Sequence, residues 1–316
     1  VDLTLFSEKI QELKDRIASV IVGQEQTVDL VLTAILANGH VLIEGVPGVA
    51  KTLLARLTAR LIDADFSRVQ FTPDLMPSDV LGTTVFNMKT NGFDFHQGPI
   101  FADIVLVDEI NRAPAKTQAA LFEVMEERQI SIDGTTHRMG DLYTILATQN
   151  PVEQEGTYKL PEAQLDRFLM KITMDYPSLE EEVNILERHH TNAALVKLDD
   201  IVPAITKEEL LSLRAFMNQV FVDRTLLQYI ALIVQQTRTS KAVYLGASPR
   251  ASVAMLQSSK AYALLQGRDF VTPEDIKFVA PYVLQHRLIL TAEAEMEGYS
   301  PVKVTQRLID KVEVPK

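Results

Sequence analysis

The sequence contains no cysteine. Disulfides, thiolate zinc sites and thiol nucleophiles are thereby excluded together, which fits a reducing compartment. No apolar run approaches the ~18 residues that a membrane span needs. No signal-peptide pattern opens the chain and no Asn-x-Ser/Thr sequon occurs, so the expectation is a cytoplasmic protein. Low-complexity tracts and internal repeats are missing as well. The six histidines are scattered, and the adjacent His189 and His190 would point about 100° apart on a helix, which argues against one shared metal. Basic charge is in deficit: 31 Lys and Arg stand against 42 Asp and Glu, a formal charge of −11. Such a field repels polyanions. Nucleic-acid binding would need a local basic patch, and protein partners are the better expectation.

What is present begins with 316 residues, 47% of them hydrophobic, enough for about two domains with sizeable cores. Residues 45 to 52 read Gly45-Val46-Pro47-Gly48-Val49-Ala50-Lys51-Thr52. They lie between the apolar run His40-Val41-Leu42-Ile43 and a stretch whose Leu54, Leu57 and Leu61 recur at helical spacing. A strand that delivers a glycine-containing turn to a helix start is a phosphate-binding loop in its required context. Loop amides and the helix dipole face an anion, Lys51 supplies a point charge for the outer phosphates, and the Thr52 hydroxyl can hold Mg²⁺. Ala50 stands where the generic pattern has glycine. Since alanine disfavours positive φ, the expectation is a right-handed helical Ala50.

Four further apolar runs can join the Val41 strand: Val69 to Phe71, Ile104 to Val107, Tyr143 to Ala147 and Phe168 to Ile172. Near-continuous hydrophobic strands alternating with helices predict a parallel sheet covered on both faces. Beyond about Tyr176 the pattern is helical only. Capping boxes at Ser178/Glu181 and Thr206/Glu209, and cap-proline pairs at Ser248-Pro249 and Thr272-Pro273, predict a small helical bundle.

Several strand ends carry candidate chemistry. Asp108 and Glu109 close a buried strand and leave it in different directions, one toward a phosphate-loop Mg²⁺ and the other toward an attacking water. Carboxylates in this position also occur as plain loop residues; the upstream phosphate loop favours the functional reading, because open parallel sheets bind ligands at their carboxyl ends. Asn150 follows another strand as a neutral donor and acceptor, although Asn-Pro is also simple turn chemistry. Arg167 ends a short helix opened by Pro161-Glu162, where the helix dipole is a sufficient structural reason for a cation. Arg250 lies in the first turn of a helix, where a cation is disfavoured, so it points to an anionic ligand or to a bridge with nearby acids.

The segments Val20-Ile21-Val22-Gly23-Gln24, the loop with its Ala50, Gln97-Gly98-Pro99-Ile100-Phe101, Val107 to Ala113, Ala147 to Pro151, Leu165-Asp166-Arg167-Phe168 and Gly246 to Arg250 occur in order over residues 20–250. In these the chain resembles a MoxR-type AAA+ ATPase of the helix-2-insert clade. The resemblance implies an α/β fold: a P-loop parallel five-stranded sheet sandwiched by helices, followed by a small all-α lid domain. It implies a nucleotide-binding core over residues 1–177, a helical connector over 178–205 and a lid over 206–316. It also implies ATP and Mg²⁺ as cofactors, Lys51 and Thr52 as Walker A, Asp108 and Glu109 as Walker B, and Asn150 as sensor 1. Arg167 would be the arginine finger, Arg250 sensor 2, Val22 and Gly23 would lie near the adenine, and Leu53 would complete the nucleotide-binding stretch. Residues 72–98 become an insertion, which the breakers and the Asn91-Gly92 pair read as a β-hairpin. The implied activity is ATP hydrolysis driving chaperone-like remodelling or maturation of protein clients, in a homo-oligomeric hexameric ring, with von Willebrand factor A domain proteins among its partners. A nucleic-acid motor of the same clade and a magnesium-chelatase-type subunit remain alternatives at this point.

Overall fold

A computed structural model describes residues 3–46, 48–150, 157–191 and 200–315. Its strands, in chain order, are β1 (Val41–Gly45), β2 (Phe66–Gln70), β3 (Gly82–Asn87), β4 (Gly92–Gln97), β5 (Ile104–Asp108), β6 (Gln129–Ile132), β7 (Thr135–Arg138), β8 (Thr144–Gln149), β9 (Met170–Met174), β10 (Val243–Leu245) and β11 (Ile289–Leu290). The core helices are α1 (Leu3–Val20), α2 (Glu25–Leu36), α3 (Lys51–Leu61), α4 (Pro77–Leu81), α5 (Ala115–Glu127) and α6 (Glu162–Leu165). After these come α7 (Leu179–His190), α8 (Lys207–Phe216), α9 (Arg224–Thr239), α10 (Pro249–Leu265), α11 (Pro273–Leu284), α12 (Ala292–Met296) and α13 (Pro301–Lys311).

The five predicted runs form one sheet in the order β2-β5-β8-β1-β9, every pairing parallel. Side chains alternate across it, as the pleat demands. Val41, Ile43, Ile104 and Leu106 enter a hydrophobic cluster with α1, α2 and α3, while Leu42, Val105 and Val107 enter another with α5. All five residues of β5 are buried, which explains their unbroken apolar run. Every strand ends on the same edge, so Gly45, Gln70, Asp108, Gln149 and Met174 line the carboxyl edge, and Val41, Thr144 and Met170 the opposite one.

The predicted caps start their helices. Ser178 accepts from the Glu181 amide and Thr206 from that of Glu209, and α10 and α11 begin at Pro249 and Pro273. The predicted helical bundle needs one correction: β10 and β11 pair antiparallel within it. Their three- and two-residue lengths gave no periodicity to read. The first cluster continues without a break through Leu213, Ile233, Met255 and Val283, so the bundle seals one face of the sheet.

The insertion is a hairpin, β3 with β4, but its turn differs from expectation. Asn87 pairs with Gly92, so four residues make the loop and only Asn91 takes positive φ, 50°. A second hairpin, β6 with β7, was not foreseen, although Asp133-Gly134 between two β-prone runs was its signal. Both turn residues take positive φ, 50° and 80°. The hairpins brace each other: Thr84 donates to Asp133 at 2.6 Å, and the Phe95 and His137 rings lie 4.2 Å apart.

Candidate nucleotide site

Residues far apart in sequence meet on the carboxyl edge because β8 lies between β5 and β1. Asp108 leaves β5, Asn150 follows β8, and Gly45 leads from β1 into the loop, with Val46, Gly48, Val49, Lys51, Thr52 and Leu53 carrying the turn into α3. Pro47 lies outside the described residues. Gly48 takes φ +90° with open space where a Cβ would stand. Ala50 corrects the sequence reading. It adopts φ 60°, ψ 23°, left-handed rather than right-handed, a conformation costing an L-residue about 1–2 kcal/mol. The chain has to turn from an extended strand into a helix within this loop, and Ala50 is the cap at which it does so.

The Lys51 ammonium donates to the Gly45 carbonyl at 2.7 Å. Burial lowers its pKa, while the charge of Asp108, and then that of Glu109, raises it again. Both carboxylates therefore act on the lysine of the loop. Asp108 is buried and fully engaged: Thr148 donates its hydroxyl to Oδ1 at 3.1 Å, and Arg68 Nε donates to Oδ2 at 2.6 Å. The Thr148 hydroxyl also accepts from the Glu109 amide at 3.0 Å, so one side chain fixes the departure of both acids from the strand. Glu109 itself leaves in a left-handed conformation, φ 56°, and its carboxylate pairs with Arg112, 2.9 Å away. The two acids thus hold different partners.

Val22 and Gly23 precede the N-terminus of α2, the end nearest the carboxyl edge, since α2 leads down to the start of β1. Gly23 is favoured by its positive φ of +72°, and the Glu181 carboxylate lies against it, 2.2 Å from where a Cβ would stand. That contact sets the start of α7 against the Val22-Gly23 turn.

Arg167 and Arg250 are not part of this gathering. Arg167 precedes β9 and so lies at the amino edge of the sheet, a strand length of roughly 16 Å or more from the loop. There it forms an ion pair with Glu126 at 2.7 Å, and Arg250 reaches the other oxygen of the same carboxylate at 3.4 Å. The location is fixed independently: next to Glu126 on the last turn of α5, the Met125 carbonyl accepts from His40 Nε2 at 3.1 Å, and Arg128 donates to the carbonyls of Asn38 and Tyr143, just ahead of β1 and β8. The bridge to nearby acids expected as one explanation of Arg250 is thus present.

Thr148, Arg68, Glu126 and Arg287 were missed by sequence reasoning. Arg68 meets Asp108 only because β2 neighbours β5, and Glu126 on α5 meets Arg167 across the core and Arg250 through the packing of the bundle on it. Thr148 alone had a signal, as the polar residue that follows the apolar run Ile145 to Ala147 near the end of its strand.

Comparison with known proteins agrees with this architecture. Residues 40–170 match the ATPase family associated with various cellular activities (AAA), and residues 235–310 match the AAA lid domain. The chain is 47% identical to the uncharacterized protein YeaC of Bacillus subtilis, over 95% of this chain and 93% of that one. It is 44% identical to chaperone MoxR1 of Mycobacterium tuberculosis, over 94% and 80% respectively. A crystal structure of a provisionally assigned ATPase from Cytophaga hutchinsonii superposes with a TM-score of 0.91 at 40% identity, covering 100% of this chain and 97% of that one. With this fold, this loop and these relatives, the chain belongs to the MoxR-type family of AAA+ ATPases.

Proposed function

We propose that this chain hydrolyses ATP to ADP and phosphate and, in a homo-oligomeric hexameric ring, uses the cycle to remodel or mature protein clients. The observation that carries this reading is the convergence of Lys51, Asp108, Glu109 and Asn150 on one sheet edge. Phosphoryl transfer to water is mainly positioning and charge neutralisation. Lys51 exchanges its Gly45 carbonyl for the outer phosphates, Glu109 polarises the attacking water and Asn150 orients it, while Val22 and Gly23 flank the adenine.

Mg²⁺ fits the donor set. Thr52 and Asp108 offer hard oxygens, and Mg²⁺ is usually completed by phosphate oxygens and water rather than by a protein cage. No group of three or more potential ligands forms a cage among the described residues. When bound, the ion would neutralise charge on the β- and γ-phosphates. Arg68 holds Asp108 in its place until then.

Arg167 and Arg250 act on the nucleotide of a neighbouring subunit, because each is held a strand length from its own loop by Glu126. Hydrolysis then depends on ring assembly, and the division into a core over 1–177, a connector over 178–205 and a lid over 206–316 becomes mechanical. The insertion hairpin is the client-facing lever, for its tip exposes Met88 (86%) and Phe93 (73%) to solvent. The name of the mycobacterial relative, a chaperone, supports protein clients, with von Willebrand factor A domain proteins a candidate class. A cytoplasmic location accords with the cysteine-free composition, and no described helix is long and apolar enough to cross a membrane.

Two substitutions test the chemistry. Lys51→Ala abolishes tight ATP binding, whereas Glu109→Gln retains binding and loses turnover, because Glu109 is needed only when water attacks. Near-normal steady-state hydrolysis by Glu109→Gln would remove it as the activating residue. The same variant held with ATP should capture clients that ADP releases; identical capture with either nucleotide would break the link between the cycle and remodelling.

A further inference from the structure

Arg287 is a guanidinium with only 4% of its side chain exposed, just beyond the end of α11. It is committed almost wholly to the segment that carries Arg167. Its Nε donates to Asp166 Oδ1 at 2.7 Å, one terminal nitrogen to the carbonyls of Asp166 (3.2 Å) and Phe168 (2.8 Å), and the other to that of Leu169 at 3.1 Å and to that of Val283. Its neighbours add to the grip: His286 Nε2 donates to the Phe168 carbonyl at 3.0 Å and Gln285 to that of Lys171 at 2.5 Å. Burial disfavours the charged form of Arg287, and Asp166 restores it. A buried charge tolerated in this way has each of its donors directed at something specific.

We infer that Arg287 is a positioning residue for the Arg167 finger, fixing the backbone of residues 166–169 while Glu126 fixes the guanidinium. The inference rests on the reading that Arg167 acts on a neighbour's ATP. Under it, movement of the helical bundle carries residues 285–287, and with them Arg167, so the state of one subunit's lid reaches the adjacent active site. Lysine cannot replace the fork, because a single ammonium cannot span a carboxylate and four carbonyls.

The test uses full-length chains under conditions where mixed rings form. Arg287→Lys alone should bind a fluorescent ATP analogue with a Kd within about twofold of wild type and lose about tenfold or more in kcat. Mixed with Lys51→Ala subunits, which keep an intact finger segment, it should recover turnover, since its own phosphate loop is sound. The double variant Arg287→Lys/Arg167→Ala should be no slower than Arg167→Ala, because both changes remove one device. Asp166→Asn removes the same ion pair from the core side and supplies the result should Arg287→Lys not fold. The control is Arg167→Ala mixed with Lys51→Ala: if this pair recovers nothing, the trans reading falls, and the inference with it. If the control recovers while the Arg287 and Asp166 variants do not, the residue serves its own subunit and the inference is wrong. Wild-type kcat in either variant overturns it equally.

Discussion

The two edges of the central sheet differ in how their charges are partnered. On the carboxyl edge, Lys51 reaches back six residues to Gly45, and Glu109 pairs with Arg112 three residues on. On the amino edge, Arg167 and Arg250 converge on Glu126, and Arg287 holds Asp166 from 121 residues away. The first arrangement combines these local contacts with cross-strand ones, Arg68 and Thr148 on Asp108, around the loop that joins β1 to α3. The second is assembled by tertiary packing and presents cations with no phosphate loop of their own. Under the proposed function, a subunit so divided would carry the receiving half of one active site and the donating half of another.

The sharpest way to break that comparison is to remove the amino-edge cations. Arg167→Ala should lower the kcat of assembled protein by about 10³-fold or more, the range in which an arginine finger operates. In dilute, unassembled chain, Arg250→Ala should leave the ATP affinity unchanged. Weakened binding by that isolated subunit would put Arg250 on its own nucleotide and dissolve the distinction between the edges.

The carboxyl edge can be sharpened at Thr148, which serves Asp108 and Glu109 at once. Thr148→Val keeps the shape and removes the hydroxyl, leaving a buried amide and a carboxylate oxygen each short of a partner. We expect a loss of about 1–3 kcal/mol in stability and up to about 10²-fold in turnover from misplaced acids. Unchanged kcat in a folded variant would show that the strand alone orients them.

At the amino edge, pH reports on the join between α5 and the strands. His40 accepts the Ile145 amide on Nδ1 at 3.0 Å and donates from Nε2 to Met125, roles that only the neutral ring can fill together. Burial, and then the charge of Arg128, lower its pKa from 6.5 to about 3. Below 6.5 the unfolded chain therefore binds a proton that the folded chain refuses. Stability from this group is complete above that pH and declines toward 3, by about 1.4 kcal/mol per pH unit. His286 is displaced in the same direction, chiefly by burial. Urea titrations at pH 7.5 and 5.5 should show the decline, and His40→Gln, although weaker at neutral pH, should show a shallower one; an unaltered slope would acquit His40.

The smallest effect concerns Ala50. Glycine relieves the positive φ at about 1–2 kcal/mol but loses more chain entropy on folding, so Ala50→Gly should stabilise by about 0.5–1 kcal/mol. A right-handed Ala50 would give the opposite sign, and urea midpoints decide between them.

The five core strands, the strand-loop-helix context of residues 45–52, the two acids at the end of β5 and the cap-proline helix starts were legible in the sequence because each rests on local chemistry: burial on both faces, a strand-turn-helix context, or a side chain bonded three residues away. The conformation of Ala50 was not, since a loop is set by the elements it must join. The β6-β7 hairpin was legible in Asp133-Gly134 and passed over. Thr148 could be seen as polar but not as shared between two acids.

By itself, then, the sequence determined the order of the core elements, the loop between β1 and α3 and the acids at the end of β5, because periodicity and turn chemistry act over a few residues. Only the tertiary structure decided that β8 lies between β1 and β5, that Arg68 covers Asp108, and that Glu126, Asp166 and Arg287 organise two arginines a strand length from the loop. Those contacts join residues 40 to 124 positions apart, and no local preference specifies such partners; the order of the strands and the packing of the helical bundle on the core do.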